Sequence, residues 1–215
     1  MGKPLYHGAS LDDAEVLCIV VHGRNQTQAD MMTSIVERLD LSQVRFVLPK
    51  SDDVGWYGAR ATDPLTDQTS KEVAAGLDQI SSLIKGFRAS APECPMLLCG
   101  FSQGACMAAE LLMRQPTIAD AACLLTACRV GVDGDSLPLA QLDGLPVYTS
   151  CGDEDPWIPA DAFHRMLGDL TRARARIRTD MFPGRPHEIT DTEISVVSDM
   201  LTSLAKKRPL LGSVA

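Results

Sequence analysis

The apolar run Pro95-Met96-Leu97-Leu98-Cys99 leads straight into Gly100-Phe101-Ser102-Gln103-Gly104, and residues 105–114 continue with helical character. A strand, a G-x-S-x-G turn and a helix, in that order, are the context of a nucleophile elbow. Such a turn is sterically crowded. Glycine at both flanks is expected to let the backbone take strained dihedrals and lift a serine oxygen above the sheet edge. Ser102 is therefore the candidate nucleophile.

The chain on either side alternates short apolar runs with longer periodic ones. Val16-Leu17-Cys18-Ile19-Val20-Val21 is apolar throughout, as a strand covered on both faces must be. Residues 28–39 read as a helix, with Met31, Met32, Ile35, Val36 and Leu39 at helical spacing. Further strands are expected over 44–48, 121–127, 147–151 and 176–182, and further helices over 70–87, 161–170 and 193–206. Six strands interleaved with helices imply an α/β fold with a mostly parallel, doubly wound sheet and right-handed crossovers. Residues 1–215 read as one domain without repeats, linker or large lid, and residues 209–215 are expected to fray. The long connection from 49 to 67 is rich in Asp and Gly and carries Trp56 and Tyr57. Connections of that length are more often functional than accidental.

Composition narrows the function classes. Hydrophobic residues at 45% and charged residues at 22% match an ordinary globular chain. Its 215 residues bury a core that needs neither metal nor disulfide staples. A net charge of −8 argues against a nucleic-acid partner, whose phosphates require basic patches. It favours a neutral or mildly cationic ligand. The seven cysteines are odd in number, lie mostly inside apolar runs and include no CxxC pair. That pattern fits reduced thiols and argues against a disulfide framework, a zinc site or a thioredoxin-like centre. The amino terminus, Met1-Gly2-Lys3-Pro4-Leu5-Tyr6, lacks the apolar stretch of a signal peptide, and no window approaches a membrane span. The expected location is the cytoplasm.

Sheets of this class bind ligands at the carboxyl ends of their strands. Ser102 follows the third expected strand, Gly152-Asp153-Glu154-Asp155-Pro156 the fifth, and Pro183-Gly184-Arg185-Pro186-His187 the sixth. Serine, acid, histidine is the chain order of an α/β-hydrolase. A serine hydroxyl is a poor nucleophile until a base removes its proton, and His187 supplies a base near neutral pH. A carboxylate behind the imidazole fixes its tautomer. Asp153, Glu154 and Asp155 all lie near that strand end, where an acidic residue also serves as a turn cap. Of the other histidines, His7 lies in the amino-terminal segment, His164 on an amphipathic helix, and His22 at a strand end. His22-Gly23-Arg24-Asn25 occupies the place of the loop that lends one backbone N–H to an oxyanion hole, the second coming from the residue after the serine. These two donors are assigned to Arg24 and Gln103.

Five motifs now stand in register: His-Gly-Arg at 22–24, Trp56-Tyr57, Gly-Phe-Ser-Gln-Gly at 100–104, Gly-Asp-x-Asp-Pro-x-Ile-Pro at 152–159, and Phe-Pro-Gly-x-x-His at 182–187. From about Leu17 to Ile194 the chain resembles the phospholipase/carboxylesterase family of α/β-hydrolases, which includes acyl-protein thioesterases and small bacterial esterases. The bacterial His-Gly-Arg branch is the nearer likeness. The resemblance implies Ser102 as nucleophile, Asp155 as the acid, His187 as the base, and the amides of Arg24 and Gln103 as oxyanion donors. It implies hydrolysis of small-molecule esters or thioesters without cofactor or metal, and extends to a homodimer. Two positions depart from the branch: Asn25 stands where Gly is usual after the triplet, and Pro186 where Gly is usual before the histidine. Proline there pushes Arg185 toward extended dihedrals and stiffens the approach to His187.

Met31, Trp56, Tyr57 and Trp157 are candidate pocket residues, set against a plain core reading. Met31 and Met32 are adjacent on one helix, so at most one faces fully inward. Arg172, Arg174, Arg176 and Arg178 alternate with period two and read as a solvated strand face whose charge discourages edge pairing. The expected activity is hydrolysis of short- to medium-chain carboxylic esters through an acyl-enzyme. Acyl-protein thioesterase or lysophospholipase activity is the rival, and a non-catalytic binding protein on the same scaffold is the alternative from another class.

Overall fold

The computed structural model describes residues 2–212, and these carry one sheet of seven strands. They are β1 (Leu5–Gly8), β2 (Val16–Val21), β3 (Val44–Leu48), β4 (Met96–Phe101), β5 (Ala121–Leu125), β6 (Pro146–Gly152) and β7 (Arg176–Phe182). Their order is β1-β3-β2-β4-β5-β6-β7. Every neighbouring pair is parallel except β1 with β3. The helices are α1 (Gln28–Ser34), α2 (Asp67–Ser90), α3 (Gln103–Leu112), α4 (Ala160–Arg172) and α5 (Asp191–Ala205).

Strand β2 shows how the sheet is held. All six of its residues are fully buried. Successive side chains of a strand point to opposite faces. Leu17, Ile19 and Val21 accordingly join the core beneath α2, α3 and α4, with Leu77, Ile80, Leu111 and Phe163. Val16, Cys18 and Val20 join the other core, with Met31 and Ile35 from the α1 side and Val197 and Leu201 from α5. Helices on both faces explain the uninterrupted apolar run, which single-sided burial would have broken into alternation.

Four expectations change. Strand β1 was not foreseen: its four residues are all exposed, so no buried face leaves a period in the sequence, and it is held by backbone pairing to β3. The helix expected over 28–39 stops at Ser34. Ile35 leaves helical geometry at φ −127°, ψ −62°, and Val36–Arg38 forms a single 3-10 turn. The stretch Thr33-Ser34-Ile35-Val36 is rich in β-branched residues, which favour helix poorly. Its apolar spacing is satisfied even so, since Met31, Ile35, Val36 and Leu39 are all buried. The arginine row is not one strand face. Arg172 ends α4 and Arg174 sits in a left-handed turn at φ 63°, which leaves Arg176 and Arg178 exposed on the edge strand β7. Fraying from 209 onward fails at Leu210, which is buried against the α1–α5 core, while residues 213–215 lie outside the described residues. Among the described residues, no helix is long and apolar enough to cross a membrane.

Candidate active site

Strand β4 ends at Phe101, α3 begins at Gln103, and Ser102 between them takes φ 55°, ψ −126°. Holding a non-glycine residue there costs about 1–3 kcal/mol. Neighbouring strands and the helix hold it in place: the Ser102 N–H donates to Leu125 O at 3.0 Å, and Ser102 O accepts from Cys106 N–H at 3.0 Å. Contrary to the sequence expectation, neither flanking glycine takes a positive φ. They are needed for close approach. A Cβ on Gly100 would lie 2.6 Å from the Gly104 backbone, and one on Gly104 would lie 2.1 Å from Val21 O. The serine carries the strain, and the glycines let strand and helix come close enough to impose it.

His187, in the loop between β7 and α5, reaches this serine: Nε2 lies 2.9 Å from Ser102 Oγ. Its Nδ1 lies 2.7 Å from Asp155 Oδ2. An ionised carboxylate only accepts, so Nδ1 carries the proton and Nε2 is left as the acceptor for the serine hydroxyl. Asp155 Oδ1 accepts from the backbone N–H groups of Trp157 and Ile158, each at 2.9 Å. Burial alone would raise this carboxyl, but the His187 hydrogen bond and the two amides outweigh it and hold the pKa below the ordinary aspartate value. The Asp155 side chain is fully buried behind the histidine. Asp153 does other work. It is exposed, and its Oδ1 accepts from the Gly184 N–H at 2.6 Å, closing the loop that carries His187.

A buried cluster beneath His187 escaped the sequence reading. Arg185 Nη1 donates to Glu193 Oε1 and its Nη2 to Thr126 Oγ1, both at 2.6 Å. Ser150 Oγ also donates to Glu193 Oε1. Glu193 Oε2 meanwhile accepts from Thr190 N–H at 2.7 Å and completes the capping box that starts α5. The T-x-x-E spacing at 190–193 was available as a capping-box signal, although the helix was expected only from 193. Its second use, neutralising an arginine two residues before the histidine, was not.

The residues around His22-Gly23-Arg24-Asn25 are fixed from several sides. His22 is buried; its Nδ1–H donates to Gly23 O at 2.8 Å, and its Nε2 accepts from Ser51 N–H at 3.2 Å. Burial lowers its pKa and keeps it neutral. Asn25 adopts φ 56°, a left-handed conformation that asparagine tolerates far better than most residues. That geometry accounts for a position usually held by glycine. The Arg24 guanidinium donates to the carbonyls of Tyr57, Gly58 and Ala59. The Gln103 side chain accepts from Trp56 N–H and donates to Tyr57 O, each at 2.8 Å. The long 49–67 connection is thus pinned to the serine turn. Among the described residues, no protein acceptor meets the backbone N–H of Arg24 or of Gln103.

Ser102, Gln103, His187 and Arg24 line one cavity of about 260 Å³. Tyr57 and Trp157 line it too. Trp56 does not: it is buried, and its indole N–H donates to His22 O at 2.8 Å. Met31 does not either. It is fully buried in the α1–α5 core, on the far side of the sheet from α2 and α3. Cys106, one turn along α3 from the serine, lines the cavity without having been singled out in the sequence. A second cavity, of about 300 Å³, adjoins α4, but its arginines are already paired: Arg129 with Glu110 and Asp169, Arg165 with Asp133, Arg172 with Asp169. Its arginines are thus already matched, and among the described residues it places no nucleophile beside a base. The serine cavity can support acyl transfer, because a hydroxyl and an imidazole acceptor meet there, beside two lining residues whose backbone amides have no protein acceptor among the described residues.

Residues 12–205 match the model of the phospholipase/carboxylesterase family. Comparison with curated proteins gives no match. Among solved structures, a phospholipase/carboxylesterase from Dyadobacter fermentans is similar with a TM-score of 0.83 at 23% identity, covering 93% of this chain and 96% of that one. The Bacillus cereus carboxylesterase gives 0.72 at 18% identity over 94% of each chain. A carboxylesterase from Mesorhizobium loti gives 0.68 at 18% identity, covering 88% and 89%. At such identities the likeness establishes the shared fold, whereas the family model spans nearly the whole described chain. The protein belongs to the phospholipase/carboxylesterase family and is, by that membership, an esterase-type hydrolase.

Proposed function

We propose that the protein is a serine carboxylesterase acting on short- to medium-chain esters through an acyl-enzyme. The observation that carries this reading is the unbroken relay from Asp155 through His187 to Ser102 at the mouth of one cavity. In this mechanism His187 Nε2 takes the Ser102 proton as Oγ attacks the acyl carbon. The tetrahedral oxyanion then accepts from the Arg24 and Gln103 amides. Losing one such donor typically costs about 10²–10³ in turnover. His187 returns its proton to the leaving alcohol. Water, deprotonated by the same nitrogen, then attacks the acyl-enzyme and releases the acid. Gln103 is also the first residue of α3, so the positive end of that helix faces the developing charge.

The cavity volume of about 260 Å³ sits below the usual 300–1,000 Å³ of ligand sites and supports small acyl groups. Thioester or lysophospholipid hydrolysis would use the same residues, so acyl-length profiles separate the readings. A preference for acyl chains beyond about ten carbons, which would outgrow this cavity, would favour the rival. All seven cysteines are free thiols, which supports a reducing, cytoplasmic setting. A fluorophosphonate probe should label the wild-type chain and leave Ser102→Ala unlabelled and inactive. Undiminished labelling of a folded Ser102→Ala would remove the assignment.

A further inference from the structure

The cavity carries a charge opposite to that of the molecule. The whole chain has a net charge of −8 and by itself suggests a neutral or cationic ligand. Yet the cavity is lined by two arginines, Arg24 and Arg60, and by no carboxylate. Asp155 lies fully buried behind His187 with its oxygens already occupied. Arg24 is committed to three backbone carbonyls of the 57–59 loop. Arg60 is not. It is exposed, and among the described residues its guanidinium has no acidic partner. The adjacent Asp63 carboxylate accepts from the backbone N–H of Arg60 instead, at 2.9 Å.

Opposite Arg60 stands Trp157, 60% exposed, the most exposed aromatic side chain of the fold. That exposure leaves its indole face open beside the cavity it lines. Its main chain is not loose, since the Trp157 N–H donates to the buried Asp155. The Arg60 guanidinium lies 5.9 Å from the centre of the indole ring. A guanidinium held against an aromatic face keeps its edge N–H groups free to bind an anion in a forked geometry.

We propose that the Arg60–Trp157 rim selects esters bearing an anionic group, a carboxylate or a phosphate, on the portion of the substrate that projects from the cavity. This rests on the esterase reading above and adds its substrate class. The anion binds at the rim while the ester carbonyl sits at Ser102, so the effect falls on KM more than on kcat.

The test compares 4-nitrophenyl butanoate with 4-nitrophenyl hemisuccinate, an acyl group of similar length ending in carboxylate. An O-butanoyl glycerol phosphate against neutral monobutanoyl glycerol forms the phosphate arm. The wild type should prefer the anionic member of at least one pair, and whichever pair responds identifies the source of the anion. Arg60→Gln should reduce the anionic-to-neutral ratio of kcat/KM by about fivefold, as expected for a partly screened charge contact. Arg60→Lys should retain most of the ratio, and raising ionic strength should erode it. Arg176→Gln, on the exposed edge strand, removes the same charge elsewhere and should leave the ratio unchanged. An equal ratio in wild type and Arg60→Gln, or a fall in Arg176→Gln as large as in Arg60→Gln, would overturn the inference while leaving the esterase intact. Failure of the folded wild type to cleave any of the four esters would overturn both.

Discussion

Asp153 and Asp155 are two residues apart, equally acidic, and end in different environments. Asp155 is buried, oriented by two amides and bonded to the imidazole; Asp153 is exposed and caps a turn. A carboxamide at 155 would present an N–H₂ to Nδ1 or let the imidazole take the other tautomer, which removes the proton acceptor from Ser102. Asp155→Asn should therefore lower kcat by about 10³–10⁴-fold, as loss of a triad carboxylate does elsewhere. Asp153→Asn keeps an acceptor for the Gly184 amide and should stay within about tenfold of wild type. Steady-state rates on one ester decide, and the reverse ranking would exchange the two roles. Here the sequence had reached its limit. Three neighbouring acids have the same local signal, and only family likeness preferred Asp155. The meeting of Ser102 with His187 was legible because a crowded turn and a chain order constrain them. The pocket residues were not: Met31 and Trp56 have the same apolar character whether they face a cavity or a core, and each faces core.

Helices and strands were legible where one period dominates and obscure where it does not. β2 and β4, buried on both faces, stand out as apolar runs, while exposed β1 leaves no trace. The glycines of the elbow were found, but with the wrong physical cause: they serve packing rather than dihedral strain. That distinction is testable with two helical glycines. A Cβ on Gly104 would meet Val21 O at 2.1 Å, whereas one on Gly86, exposed within α2, meets nothing within 4 Å. Gly86→Ala should gain about 0.5–1 kcal/mol, from helix propensity and a less flexible unfolded chain. Gly104→Ala must push α3 off β2 and should lose about 3 kcal/mol or more, with turnover falling as Ser102 is displaced. Urea midpoints rank the two. A Gly104→Ala variant as stable and active as wild type would refute close packing as the reason for glycine.

Across the whole molecule, ionisable groups are tuned in two opposing sets. Glu110 and Asp155 are held below their ordinary values: burial opposes this, but Arg129 and Arg114 for the first, and His187 with two amides for the second, prevail. Asp135 and Glu72 are lowered by backbone amides. A carboxyl that binds its proton more weakly in the folded state lends stability above its unfolded pKa, and loses it as pH falls through the lower native value. Against these stand thiols pushed up by burial: Cys18 and Cys123 strongly, Cys99 and Cys151 to about 12. Their protons are bound more tightly in the folded state, so their contribution is full below the unfolded thiol value and drains as pH rises above it. Cys106 and Cys128 shift in opposite directions, the first lowered and the second raised by their mutual hydrogen bond. His22, whose pKa burial lowers, binds its proton more weakly in the folded state and so lends stability that is lost as pH falls below the ordinary histidine value. Stability should therefore form a plateau between about pH 7 and about pH 8.5, bounded by the ordinary histidine and thiol ranges, and fall further through the carboxyl range. Urea midpoints measured under reducing conditions from acid to alkali trace it. Cys123→Ala, which removes one raised thiol from the core between β5 and α5, should lower the plateau through lost packing and flatten the alkaline decline. An alkaline limb equally steep in that variant would mean that groups other than Cys123 release the protons that unfold the chain.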